Sequence, residues 1–166
     1  MQPIDLAALV LACAPQVHPT TAHALIVAES SANPYAIGVV GGRLVRQPQH
    51  RAEAVATAAR LEREGWNYSV GLAQINQSNF ARLGLDVTSA FDPCANLAAM
   101  QAVLSDCYRR AGRSAPNEQH ALRQALSCYY SGNFTTGLRH GYVRKVVDRA
   151  ATGSPPSPAT VSKESP

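Results

Sequence analysis

One glutamate stands where an apolar residue is expected. In the segment that begins near Thr21, Ala22, Leu25, Ile26 and Glu29 fall at i, i+3, i+4 and i+7, which puts them on one otherwise apolar stripe of a helix. A carboxyl group on an inward-packing stripe loses hydration, and its pKa rises. Glu29 also falls in the last turn, where the helix dipole presents negative potential and disfavours the anion further. Both effects favour a carboxylic acid that stays protonated near neutral pH, the state a general acid requires.

Two other segments carry the polar groups of a sugar site. Gly71-Leu72-Ala73-Gln74-Ile75-Asn76 sets two amides beside a flexible glycine, and Tyr129-Tyr130-Ser131-Gly132-Asn133-Phe134 closes a helix with hydroxyls, an amide and aromatic faces. Such groups donate and accept hydrogen bonds and stack on pyranose rings. Most glycosidases add a second carboxylate about 5 to 10 Å from the first. Of the eleven acidic residues, none besides Glu29 is a good candidate. Asp5 lies in a first helix, Glu53, Glu62 and Glu64 suit solvated helix faces, and Asp86 and Asp92 suit turns or caps. Asp106, Glu118 and Asp148 sit in or beside late helices, and Glu164 is in the tail. The pattern points to a one-carboxylate mechanism. The five histidines (His18, His23, His50, His120, His140) form no metal-ligand pattern, and no Gly-rich phosphate loop is present. The expectation is no cofactor and no metal, with the histidines in surface or structural roles.

These residues need a helical frame. Thr20 or Thr21 can cap the helix that carries Glu29, which runs to about Ser31 and stops before Asn33-Pro34. β-branched residues on either side of Gly41-Gly42 predict a hairpin of Ile37–Val40 with Arg43–Val45. A helix over His50 to Glu64 closing at Gly65, an extended stretch from Asn67 to Ile75 and a short helix around Ser78 to Leu83 follow. Asp92-Pro93 opens a helix of about sixteen residues. Gly112 to Pro116 reads as a turn, and two more helices end near Cys128 and Ala150. From Thr152 the chain is rich in Pro and Ser and reads as a disordered tail. The division is therefore a folded domain over residues 1–150 and a tail over 151–166. The fold class is α+β, mostly α, with one small antiparallel hairpin or sheet.

The 166 residues suit one domain with a sizeable core. Charged residues at 16% against 46% hydrophobic give a globular rather than a disordered composition. The net charge of +4 is spread along the chain, with no basic block that would track nucleic acid. No apolar run reaches the roughly 18 residues of a membrane span. Leu6 to Ala12 could serve as a signal core, but Asp5 stands where a basic residue is expected. The segment therefore reads as a short helix ending before Pro15, and the export route stays open. Cys13, Cys94, Cys107 and Cys128 match no zinc motif. They are either free thiols or two disulfides in an oxidising compartment. Pairing Cys94 with Cys107 is disfavoured, because thirteen residues of helix span roughly 20 Å.

Taken together, the motifs resemble the lytic transglycosylases of lysozyme-like (SLT) fold, and most closely the branch specialised for type IV secretion and conjugation systems. Glu29-Ser30 before Asn33-Pro34 is similar to the first motif, whose glutamate is the catalytic acid. Gly71-Leu72-Ala73-Gln74-Ile75 is similar to the second, G-L-x-Q-I. Cys128-Tyr129-Tyr130-Ser131-Gly132 occupies the place of A-Y-N-A-G, and Gly141 to Val146 resembles the Y-V-x-x-V motif. These two matches align Tyr129 and Tyr142 with tyrosines of the family site. Cys128, Tyr130, Ser131 and the gap of about forty residues between the first two motifs depart from the cell-wall turnover enzymes and are similar to the secretion-linked branch.

The resemblance implies that Glu29 cleaves the bond between N-acetylmuramic acid and N-acetylglucosamine in peptidoglycan. It also implies a 1,6-anhydro product, a periplasmic location and secretion-system components as partners. Ser30, Gln74, Asn76, Tyr129, Tyr130 and Tyr142 are then the expected substrate-side residues. Gln74 would position the N-acetyl or peptide-bearing groups, the tyrosines would bond around Glu29 and the sugar, and Ser30 would support the turn after the acid. Two alternatives stay open: a goose-type lysozyme in which water attacks, and a non-catalytic peptidoglycan-binding assembly protein.

Overall fold

The helix bearing Glu29 begins two residues earlier than its threonines suggest. In the computed structural model, which describes residues 4–153, α1 spans Leu6–Cys13 and α2 spans Pro19–Ser30. Pro19 takes the first turn of α2, and the His18 side chain accepts the Thr20 N–H, so neither threonine is the cap. The predicted stripe is present, with Ala22, Leu25 and Ile26 fully buried. At its end Ser31 and Ala32 both take left-handed backbone, with φ of 53° and 62°. These two residues turn the chain sharply out of the helix toward β1, Ile37–Val39.

The small sheet forms, though not as the Gly-Gly pair predicts. β1 pairs antiparallel with β2, Tyr68–Val70, with Ile37 opposite Val70 and Val39 opposite Tyr68. β2 pairs in turn with β3, Ile75–Asn76. Arg43–Val45 is not a strand, and Val45 is fully exposed. Val40 gives its N–H to Asn67 instead, which continues the β1–β2 side. Gly42 lies close under the Trp66 ring. The outer edge of β1 is closed by one side chain: Gln47 accepts the Ile37 N–H (2.8 Å) and donates to the Ile37 carbonyl (3.0 Å). A single amide thus satisfies the edge groups that a partner strand would have taken.

The other helices follow the sequence with shifted ends. α3 is Arg51–Arg63, capped by His50. A 3-10 turn over Gln77–Asn79 leads into α4, Phe80–Leu83. Asp92 caps α5, Pro93–Gly112, which is longer than its sequence signals suggest. α6 is Glu118–Ser131, a short α7 over Thr136–Arg139 has no clear sequence signal, and α8 is Tyr142–Thr152. The tail expected from Thr152 lies outside the described residues apart from Thr152, which is helical, and Gly153. α5 runs through the core with Leu97, Met100 and Leu104 buried, packed on α6 and α1, while α2 packs on α8.

Two disulfides lock this frame, Cys13–Cys94 between α1 and α5 and Cys107–Cys128 between α5 and α6. They close 81 and 21 residues of chain, respectively. Constraint of the unfolded chain alone gives about 4–5 and about 3 kcal/mol for loops of that size.

The turn between β2 and β3 is held from below by Asn96 of α5, a fully buried amide. Its oxygen accepts the Ala73 N–H (2.8 Å), and its NH2 donates to the Val70 and Ala90 carbonyls (3.0 and 2.9 Å). Gly71, at φ +80°, passes so close to the Asn96 amide that no side chain fits there. Asn96→Ala strands three buried backbone groups and is expected to cost about 3 kcal/mol in urea unfolding. A loss below about 1 kcal/mol would mean that water replaces the amide.

Candidate active site

Glu29 opens into a cleft of about 700 Å³ that runs between the sheet, α5 and α6. Its carboxyl is part-buried, and loss of hydration pushes its pKa from 4.5 to about 7. Two weaker influences pull it back down, a hydrogen bond from Tyr142 and the charge of Lys145. The Tyr142 hydroxyl meets Glu29 Oε1 at 2.5 Å. Lys145, one turn along α8, donates from Nζ to the Ala28 carbonyl (3.1 Å). That ammonium also satisfies a carbonyl at the C-terminal end of α2. Sequence reading did not single out Lys145; its position i+3 from Tyr142 on one helix face is the signal that could have found it.

Tyr142 is the first residue of α8, set by Gly141 at φ +77°. Tyr130 stacks on it, with ring centroids 4.6 Å apart and planes 18° from parallel. The Tyr130 hydroxyl lies 3.2 Å from His140 Nδ1 and its ring is half exposed, so one aromatic face remains available at the cleft. Burial, together with the nearby Glu29, pushes the Tyr142 hydroxyl far above its ordinary pKa, so it remains a proton donor.

Tyr129 takes a different partner from the one expected. Its hydroxyl donates to the Ala73 carbonyl (2.6 Å) rather than to Glu29, and burial first, then the nearby Glu29, raises its pKa. Ser30 Oγ donates to the Leu72 carbonyl (2.7 Å), so it ties the end of α2 to the same turn. The turn Gly71–Gln74 is therefore gripped by α2, α5 and α6 at once. Gln74 sits at φ +49° and donates its NH2 to the Ala36 and Gly71 carbonyls, both at 3.1 Å. Its oxygen lies over Gly38, where a Cβ would meet it at 2.7 Å. This leaves Gln74 an acceptor facing the cleft. Ser31, Ala32 and Gln74 are the non-glycine residues at positive φ among the described residues, and they flank Glu29 and the turn.

Asn76 also lines the cleft, yet its amide is committed elsewhere. Its NH2 donates to Asn67 and Ser69, and its oxygen accepts the Ser78 N–H. The structure thus brings Glu29, Gln74, Asn76, Tyr129 and Tyr130 to one cleft, with Tyr142 on Glu29 and Ser30 behind the turn. One further carboxylate lines the cleft, Asp106. It accepts from Arg109 (2.5 Å) and Arg110 (3.0 Å), so it is an anion already engaged by two guanidiniums. Among the described residues no cluster of His, Cys, Asp and Glu could hold a metal ion.

The influence of Tyr142 on the acid can be measured directly. Tyr142→Phe removes the hydrogen bond that favours the anion, so the Glu29 carboxyl is expected to titrate above the wild-type value of about 7 in carbon-detected NMR. A downward or absent change would mean that the hydroxyl does not set the proton affinity.

The transglycosylase SLT domain family matches residues 8–150. The type IV secretion system protein virB1 of Brucella suis biovar 1 (strain 1330) is 53% identical over 156 residues, and the same holds for its counterpart in Brucella abortus (strain 2308). In both cases 89% of this chain and 66% of the relative are covered. Protein virB1 of Agrobacterium fabrum (strain C58 / ATCC 33970) is 40% identical over 146 residues, covering 87% of this chain and 58% of the relative. The chain thus spans less than two thirds of the length of these relatives. No solved structure matches it. A match over nearly all of the described residues, on a mostly helical lysozyme-like frame with a three-stranded sheet, places the chain in the transglycosylase SLT domain family.

Proposed function

We propose that the protein is a peptidoglycan lytic transglycosylase in which Glu29 is the single catalytic carboxyl group. The observation that carries this reading is the Glu29 carboxyl, its pKa raised by burial to about 7, hydrogen-bonded to Tyr142 in a cleft whose other carboxylate is already paired. Neutral Glu29 donates its proton to the glycosidic oxygen between N-acetylmuramic acid and N-acetylglucosamine, and the C1–O bond breaks. The carboxylate so formed takes the proton of the muramoyl C6 hydroxyl, whose oxygen closes on C1. The product is a 1,6-anhydro sugar, and the acid is regenerated.

An attacking group held within the substrate carries a high effective concentration, so no second carboxylate is needed to activate water. Tyr142 holds the carboxyl in place and stabilises the transient anion. Gln74, with its oxygen facing the cleft, accepts from a substrate N–H such as that of the N-acetyl group. The Tyr130 face stacks on a sugar ring, and Tyr129 and Ser30 act through the turn they hold. In this reading residues 1–150 hold the catalytic domain, and α8 carries the fold on to Thr152.

The relatives and the disulfides support a setting for this reaction. The Brucella relatives are named as proteins of a type IV secretion system. We read this chain as opening the wall locally for such a machine, with its components as partners. Two disulfides suit an oxidising compartment such as the periplasm. Among the described residues no helix is long and apolar enough to cross a membrane.

Digestion of purified sacculi with wild type and Glu29→Gln tests the reading. The wild type is expected to release muropeptides lighter by one water than hydrolysed ones, at a rate that falls as pH rises through about 7, where Glu29 loses its proton. Glu29→Gln is expected to release none. Hydrolysed products would instead establish a lysozyme, and an active Glu29→Gln would remove the acid from the scheme. Folding supplies the control. Between pH 4.5 and about 7 the folded protein keeps a proton that the unfolded chain has lost. Stability at this site is therefore fully present below the lower value and lost as pH rises through the upper one. Glu29→Gln is expected to be the more stable protein above pH 7, by up to about 3 kcal/mol.

A further inference from the structure

The close contact of α6 with α7 gathers three aromatic rings beside the acid. Gly137 of α7 lies flush on Ser127 of α6, where an added Cβ would sit 2.7 Å from the Ser127 Cα. The Ser127 hydroxyl accepts the Gly137 N–H and donates to the Asn133 carbonyl, both at 2.9 Å. Tyr130 stands three residues beyond Ser127 and His140 three beyond Gly137, so this contact sets their rings side by side. The Tyr130 hydroxyl lies 3.2 Å from His140 Nδ1, and the two rings meet edge to face with centroids 5.9 Å apart. Gly141, at φ +77°, then turns the chain so that Tyr142 lays its ring on the face of Tyr130. Among the described residues the Tyr142 hydroxyl has one hydrogen bond, the one to Glu29. That bond alone leaves the ring free to swing, whereas a stacked neighbour covers one side of it and gains energy beyond the area buried.

We propose that Tyr130 and His140 are positioning residues for the reaction: His140 holds the tip of Tyr130, and the Tyr130 face clamps the Tyr142 ring so that its hydroxyl stays on Glu29. This deepens the transglycosylase reading and rests on it for the chemistry, while the clamp itself belongs to the free protein. It also gives Tyr130 a role separable from facing a sugar. A sugar contact acts in KM, and the clamp acts on the acid before substrate binds. The titratable groups that face Glu29 are Tyr142 and Lys145 of α8 and Tyr129 of α6, and variants of Tyr130 and His140 leave all three in place.

Tyr130→Leu keeps apolar bulk and removes the flat ring. The Glu29 carboxyl is then expected to titrate about half a pH unit above the wild-type value of about 7 in carbon-detected NMR. In a Tyr142→Phe background the same substitution is expected to change nothing, because no hydroxyl is left to place. An equal effect in both backgrounds would mean altered hydration of Glu29 and would overturn the proposal, as would no effect in the first. Tyr130→Phe and His140→Phe each keep a ring and break the contact between hydroxyl and nitrogen. Each is expected to give a smaller rise, and the pair no more than either alone. Additive effects, or none, would overturn the part assigned to His140. On soluble glycan strands Tyr130→Leu is expected to lower kcat about threefold, the equivalent of half a pH unit, and to move the fall in rate to higher pH. A rise in KM with kcat and pH profile unmoved would leave a sugar contact only and overturn the clamp. The NMR titration uses no substrate, so its result stands whatever product the enzyme releases.

Discussion

The structure is organised around a carboxyl group whose pKa burial raises to about 7. Glu29 belongs to the inward stripe of α2, and the loss of hydration there outweighs both the Tyr142 hydroxyl and the Lys145 charge that favour its anion. Without the two stabilising groups the pKa would lie higher still, and without the burial the carboxyl would be ionised at neutral pH. A value near 7 lies where a group can both give and take a proton at neutral pH. The cost is carried by the fold, since a desolvated acid at a helix end stabilises nothing once it ionises.

What lets the chain hold that group is the shared grip on one turn. Ser30, Asn96 and Tyr129 come from three helices, and their polar atoms converge on the backbone of residues 70–73. A chain segment held by helices on several sides has little freedom, so Gln74 can keep a left-handed conformation that costs energy in isolation. Its NH2 is occupied by backbone carbonyls, and this fixes the direction of its oxygen. The disulfide from α5 to α6 sits next to Tyr129 in sequence and in space, and so braces the same region. Covalent and polar restraints thus hold acid, turn and tyrosines in one arrangement.

A second consequence of this arrangement is a division of labour among the polar side chains. Some of them, such as Asn76 and Ser30, spend their hydrogen-bonding capacity on the protein itself. Gln74, Tyr130 and the arginines of the cleft leave part of theirs unused by the protein. Residue type alone does not distinguish the two groups, because an amide in a cap and an amide in a binding site have the same chemistry.

The sequence by itself determined the local features. The apolar stripe that traps Glu29, the Asp92-Pro93 start of α5, the short α1 and the mostly helical class all follow from spacing and capping, which act over a few residues. The order of four short motifs likewise sufficed to indicate the family. Only the tertiary structure decided which strands pair. The Gly41-Gly42 signal is real as a turn, yet Val40 and β1 gain more by pairing with β2, and Gln47 satisfies the edge that Arg43–Val45 would have covered. It also decided that Tyr129 serves the turn while Tyr142 serves the acid, that Asp106 is engaged by arginine, and which cysteines meet. Those outcomes join residues as many as 113 positions apart. No local pattern carries them, because hydrogen-bond partners and desolvation depend on which faces pack together once the whole chain has closed.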